Sequence, residues 1–226
     1  FWKMWRAVRR FGAGKTNMTD MKDQSLQFYL DALASRDATP GGGSAAAVLG
    51  AQGAALVSMV CHLTIGKAKY ASVEAEMQQL LLDAEQLRSR LTNMIKADIE
   101  VFNALMACYA LPKVSEEEKQ LRSDRIQEVL QQAIEVPLDC AKACAGVIAL
   151  SEVAAEKGST AVISDAGVAV MSAFAGFKSA ALNVEINAAS LKNSELAASK
   201  RLELASLAEG MDVRVAAIYA VVQSRL

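Results

Sequence analysis

The chain has little that interrupts a helix. Its 226 residues hold three prolines, Pro40, Pro112 and Pro137, and no stretch alternates clearly between apolar and polar residues. That argues against sheets, and the run of Ala, Leu, Glu, Gln and Lys favours helix throughout. Aromatic residues make up 5% of the chain, so its core must be built from aliphatic and small side chains. There is one histidine, His62, and the four cysteines, Cys61, Cys108, Cys140 and Cys144, form no Cys-x-x-Cys pair. A zinc site is therefore not expected, and no metal is. The cysteines read as buried, reduced thiols of a cytoplasmic protein. A net charge of -1 with a pI near 6.0 leaves no basic surplus for nucleic acid.

Charge is missing from the whole of residues 45–65. The stretch has the length of a membrane span. However, it is mainly Ala and Gly, it contains Gln52, Ser58, His62 and Thr64, and no tight basic cluster or aromatic belt flanks it. It reads as a central helix of an all-helical protein, with no membrane partner. Residues 1–20 differ in kind. Phe1, Trp2, Trp5 and Phe11 interleave there with Lys3, Arg6, Arg9 and Arg10. Such a segment can lie on a membrane surface or serve in targeting. It is read here as a leader or tag-like piece, with Met18-Thr19-Asp20 as a natural start and residues 21–226 as a single helical domain.

The periodicity predicts six helices. The first runs from about Ser25 to Ser35, with Leu26, Tyr29, Leu30 and Leu33 on one face. The second is the uncharged stretch. The third runs from about Val73 to Leu111, where Pro112 stops it. The fourth starts at the Ser115 cap with acids in its first turn and continues to about Lys157, with a kink expected at Pro137. The fifth spans about Ser164 to Leu191, and the sixth about Glu195 to Arg225. The fold class is all-α, a bundle of long antiparallel helices. The second and fifth helices are apolar nearly all round, which suits a bundle centre or a subunit contact, so a dimer is expected.

Ahead of the uncharged stretch stands Thr39-Pro40-Gly41-Gly42-Gly43-Ser44. Glycines permit unusual backbone, and Ser44 can cap the helix that follows. Bare backbone N–H groups at that helix start can receive a carboxylate, or the segment can be a plain linker. Asp98 falls within the apolar stripe of Leu91, Met94, Ile95, Phe102 and Leu105. A carboxylate there is either paired inside the bundle or lines a wet cavity. Ser164 and Asp165 open the fifth helix, as a cap or as part of a site. Asn183 and Asn187 sit one turn apart among apolar neighbours, either as glue between helices or as partners for a heterocycle. Lys67, Lys69 and Lys113 lie at helix ends, solvated or holding an anionic tail. His62 interrupts the uncharged helix and is read as a core or pocket residue.

Together these pieces resemble the cyclodeaminase/cyclohydrolase family of tetrahydrofolate enzymes. The resemblance runs from about Ser25 to Leu191 and rests on segments 39–44, Leu63-Thr-Ile-Gly-Lys67, Ala97-Asp98 with Phe102, Leu111-Pro-Lys113, Val136-Pro-Leu138, Ser164-Asp165 and Asn183-Val-Glu-Ile-Asn187. Within the family, Ala55–Cys61 and Val162–Val170 are most similar to the stand-alone methenyltetrahydrofolate cyclohydrolases of methylotrophic bacteria. The resemblance implies a cyclodeaminase-like dimer with folate near the subunit contact and no cofactor or metal. It implies hydrolysis of 5,10-methenyl-tetrahydrofolate to 10-formyl-tetrahydrofolate, or alternatively closure of 5-formimino-tetrahydrofolate with loss of ammonia. A folate-binding protein without turnover is a third reading. For an enzyme, the resemblance points to Asp98 and Asp165 as catalytic. Pro40, Gly41, Gly42, Gly43, Ser44, His62, Thr64, Lys67, Lys113, Ser164, Asn183 and Asn187 become substrate-binding. The family often carries an acid one or two residues before Asp98. Here those positions hold Ala97 and Lys96, which moves weight to Asp165 as the second acid.

Overall fold

A computed structural model describes residues 20–226, so the leader expected over residues 1–20 lies, but for Asp20, outside the described residues. Seven α-helices follow in order: α1 Leu26–Leu33, α2 Gly42–His62, α3 Glu74–Tyr109, α4 Glu116–Lys157, α5 Ile163–Ser190, α6 Ser194–Ala208 and α7 Met211–Ser224. Among the described residues there is no strand. Local chemistry sets the starts. The Ser25 hydroxyl accepts the Phe28 N–H. Ser115 and Glu118 form a reciprocal capping box, and Asn193 accepts the Leu196 N–H.

The expected sixth helix is two helices. Gly210 adopts φ 68°, a left-handed conformation, and the helix breaks there into α6 and α7, which both run along α4 and α5. The break lets Val215, Ile218 and Val222 bury against the bundle. Pro137 does not end α4, which continues through it for 42 residues in all.

The helix α2 lies between α3 and α5, and the long helices alternate in direction. Ser58 meets Glu85 and Asp98 meets Ser44, so α2 and α3 run oppositely. Small residues let the centre close up. A side chain at Gly176 would strike the Ala46 carbonyl at 2.9 Å, and one at Gly53 would strike that of Ala169 at 2.9 Å. The Ser172 hydroxyl then ties α5 to the Leu49 carbonyl at 2.8 Å. Leu91, Ile134, Leu138, Ile148 and Phe177 are among the largest side chains wholly buried in the core. Each contributes on the order of 1.5–3 kcal/mol by leaving water. By length and hydropathy, residues 42–62 and 160–190 could each cross a membrane, and about half of each window is buried inside the bundle. They are its central helices.

Candidate active site

The first turn of α2 holds the most unusual polar arrangement. A cis Thr39–Pro40 bond precedes it. Gly41 takes the cap position, and Gly42, Gly43 and Ser44 are the first three helical residues. Ser44 therefore does not cap its own helix, as the sequence suggested. It is wholly buried, and its hydroxyl donates to Asp98 Oδ2 at 2.8 Å. Its backbone N–H also points to Asp98. The carboxylate on α3 thus does the work of a cap for α2, accepting an N–H that would otherwise lack a partner. The sequence pointed to a carboxylate at this helix start, and the one that sits there is the chain's own.

None of these three glycines is needed for a left-handed backbone. Positive φ among the described residues occurs at Gly66 and Gly210 only. Gly43 is needed for space. A Cβ there would stand 2.6 Å from Asp98 Cγ and 2.9 Å from Oδ2, and closer still to Oδ1. At Gly42 a Cβ would meet Asn183 at an ordinary 3.7 Å.

Burial pushes the Asp98 carboxyl above its usual range, and the two Ser44 hydrogen bonds pull the other way. Beside it lies Tyr29, the one buried residue of α1. Burial, and then the Asp98 charge, hold the Tyr29 phenol above its usual range, so it remains protonated. Its oxygen is buried without a hydrogen-bond partner, alone in this among the described side chains. Sequence reasoning placed Tyr29 on an apolar face and did not mark its hydroxyl.

Asn183 and Asn187 are at this end too. Asn183 donates to the Ser179 carbonyl of its own helix at 2.9 Å and lies against Gly42. Asn187 donates to the Ala133 carbonyl at 2.6 Å. That carbonyl is four residues before Pro137, whose ring nitrogen carries no hydrogen to reach it. Asn187 supplies the missing donor across the helix pair, which accounts for α4 passing through a proline. Lys113 is exposed in the connection after α3.

The remaining expected residues lie at the opposite end. α2 has 21 residues, about 30 Å at 1.5 Å per residue. At its far end His62 is exposed and Thr64 is buried. Thr64 donates to the Val60 carbonyl at 2.6 Å and accepts the Ser159 N–H at 2.8 Å, so it is a structural joint. Lys67 reaches Ser159 Oγ at 3.4 Å. Ser164 and Asp165 are inside the first turn of α5, where Val162 holds the cap position without a side-chain bond. Asp165 suits that turn by its charge. Within one chain, the structure gathers Pro40 to Ser44, Asp98 and Asn183 together, and leaves Asp165 with His62, Lys67 and Ser164 at the other end.

Comparison with known proteins follows the same segments. The family described as "Formiminotransferase-cyclodeaminase" matches residues 25–206. A protein of Methylorubrum extorquens named methenyltetrahydrofolate cyclohydrolase is 51% identical over 204 residues, 90% of this chain and 98% of that one. The formimidoyltransferase-cyclodeaminase of Rattus norvegicus is 30% identical over 203 residues, and the chain spans 38% of its length. A crystal structure of formiminotetrahydrofolate cyclodeaminase from Thermotoga maritima superposes with a TM-score of 0.77 at 30% identity, covering 92% of this chain and 98% of that one.

Proposed function

The chain belongs to the formiminotransferase-cyclodeaminase family, and we propose that within it the protein is a methenyltetrahydrofolate cyclohydrolase, opening 5,10-methenyl-tetrahydrofolate with water to 10-formyl-tetrahydrofolate. The observation that carries this choice is the 51% identity to a cyclohydrolase across nearly all of that protein. The solved cyclodeaminase likeness favours a second reading, ammonia-releasing closure of the formimino substrate, at the lower identity of 30%.

The chemistry fits the α2 end. The bridging carbon of the substrate is a cationic amidinium and carries its own electrophile, so the reaction is written with no cofactor and no metal. Asp98 sits in a partly desolvated place, where opposite charges attract more strongly than in water. Its carboxylate faces the cation, takes a proton from attacking water, and returns it to N5 as the carbon–N5 bond breaks. The oxygen stays on the carbon as the formyl group, and one proton leaves overall. Asn183 and the Gly41–Gly43 segment line the approach.

The protein works as a dimer in this reading. Val168, Met171, Leu182 and Ile186 of α5 are exposed, and their spacing puts them on one helix face. Met59 of α2 and Leu63 just after it are exposed as well. A second copy related by a two-fold axis across these helices would bring Asp165, His62 and Lys67 of one copy to Asp98 of the other. That would unite the two ends that a single chain keeps apart. A cytoplasmic location accompanies this, in keeping with four free thiols.

Purified protein mixed with methenyl-tetrahydrofolate should discharge the methenyl absorbance well above the uncatalysed rate. Appearance of that absorbance from formimino-tetrahydrofolate, with no effect on the methenyl substrate, would instead establish the cyclodeaminase.

A further inference from the structure

The hydroxyl of Tyr29 is the one buried side-chain polar atom among the described residues with no hydrogen-bond partner. Buried hydroxyls nearly always have one, because leaving the bond unmade is costly. A phenylalanine would fill the same volume without that cost. The rest of α1 gives no reason for the hydroxyl. Leu26, Phe28 and Leu30 are all at least 46% exposed, and Tyr29 alone is buried, at 7%. The phenol is close enough to Asp98 to feel its charge. It makes no hydrogen bond to Asp98, however, whose Oδ2 is held by Ser44. The donor stands unused within range of the charge of the carboxylate that activates water.

We infer that Tyr29 is a further catalytic residue of this site, its phenol donating a hydrogen bond to the oxygen that water adds to the one-carbon bridge. The inference rests on the cyclohydrolase reading, since only hydrolysis puts an oxygen on that carbon. When water attacks, one of its protons passes to Asp98 and the new carbon–oxygen bond leaves a hydroxyl on the tetrahedral carbon. As the carbon–N5 bond breaks, N5 takes the proton from Asp98, and the hydroxyl proton is lost as the oxygen becomes the formyl carbonyl. Electron density on that oxygen rises through the step, and a donor fixed beforehand stabilises it without reorganising. The phenol keeps its own proton throughout. Its bond is absent in the resting protein and formed only with the adduct, the arrangement that raises kcat and leaves KM alone.

The test compares Tyr29→Phe with the wild type on methenyl- and on formimino-tetrahydrofolate, together with thermal melting. A kcat on the methenyl substrate lowered by about 10- to 100-fold is expected, at or below the lower end of what one such donor supplies elsewhere. KM should stay within about twofold and the melting temperature should be equal or higher, as expected when an interaction made only in the transition state and a cost of the resting state are both removed. Methenyl turnover equal in the two proteins overturns the role of Tyr29 and leaves the cyclohydrolase reading standing. A loss of kcat matched by a lower melting temperature marks Tyr29 as structural and also overturns it. Turnover confined to the formimino substrate overturns both readings together.

Discussion

Replacing Gly43 by alanine tests the site with a single methyl group. The added Cβ would stand 2.6 Å from Asp98 Cγ, so the carboxyl group must retreat by about 1 Å to reach ordinary contact. The α3 backbone cannot supply that movement freely, since Leu91, Met94 and Ile95 anchor it one and two turns earlier. The side chain must swing instead, and the 2.8 Å bond from Ser44 is lost. The Ser44 hydroxyl is wholly buried, and stranding it costs about 1–3 kcal/mol. Alanine returns up to about 1 kcal/mol through its better helix propensity. The net loss is on the order of 0–2 kcal/mol, which a folded domain survives. Activity should suffer more. A displacement near 1 Å at a reacting group costs roughly 100-fold, or about 2.7 kcal/mol of barrier. The control is Gly43→Ala in an Asp98→Ala background, where the methyl group meets no carboxylate and should be neutral or mildly stabilising. Urea unfolding of the four proteins, with methenyl turnover of the Asp98-containing pair, gives the coupling. Equal stability effects in both backgrounds, or wild-type turnover in Gly43→Ala, would refute the reasoning.

Asp98→Asn should keep the fold and lower kcat by about 100- to 10,000-fold, the range of a lost general base; turnover near wild type would remove Asp98 from that role. Because burial raises the Asp98 pKa in the folded state, its contribution to stability is fully present below the unfolded value and is lost as pH rises through the folded one. The Asn variant should therefore gain melting temperature relative to wild type as pH rises above the ordinary carboxylate range, and a gap independent of pH would contradict that sign. Asn187→Ala strands the Ala133 carbonyl and should cost about 1–3 kcal/mol in urea unfolding. In a Pro137→Ala background the backbone N–H returns, so the same change should cost clearly less; equal costs would show that Asn187 does not serve the proline. Sedimentation at micromolar concentration should give a dimer, and Met171→Asp with Ile186→Asp should give a monomer with reduced turnover. A monomeric wild type of full activity would dismiss the two-copy site.

The layout of the helices could be read in the sequence because each long helix carries its own periodicity and its own stop, as with Pro112 after α3 and Ser115 before α4. The errors fall where a residue's meaning depends on something far away in the chain. Gly42 and Gly43 read as loop because glycine is a poor helix former. They are helical because Asp98, 55 residues beyond Gly43, occupies the helix start. Gly210 sat in a continuous pattern and gave no hint of a break, since one glycine inside a helix is usually tolerated.

The candidate site shows the same limit more sharply. Asp98 stood out because a carboxylate within an apolar stripe is anomalous in one dimension already. Tyr29 did not, since a tyrosine on an apolar face is ordinary, and its oddity is a missing bond visible only in space. The grouping of Asp98 with Asp165 came from family order, which carries no direction. Once α2, α3 and α5 alternate, Asp165 and Asn183 stand 18 residues apart on one straight helix, about 27 Å. No side chain spans that distance. Either Asp165 acts on a second copy or it has no part in the chemistry at Asp98. Mixing Asp98→Asn with Asp165→Asn protein separates these cases. Two inactive variants that regain about a quarter of wild-type turnover on random subunit exchange, one intact site in half of the dimers, share a site across copies. An Asp165→Asn protein that is fully active alone has no such partner to complement.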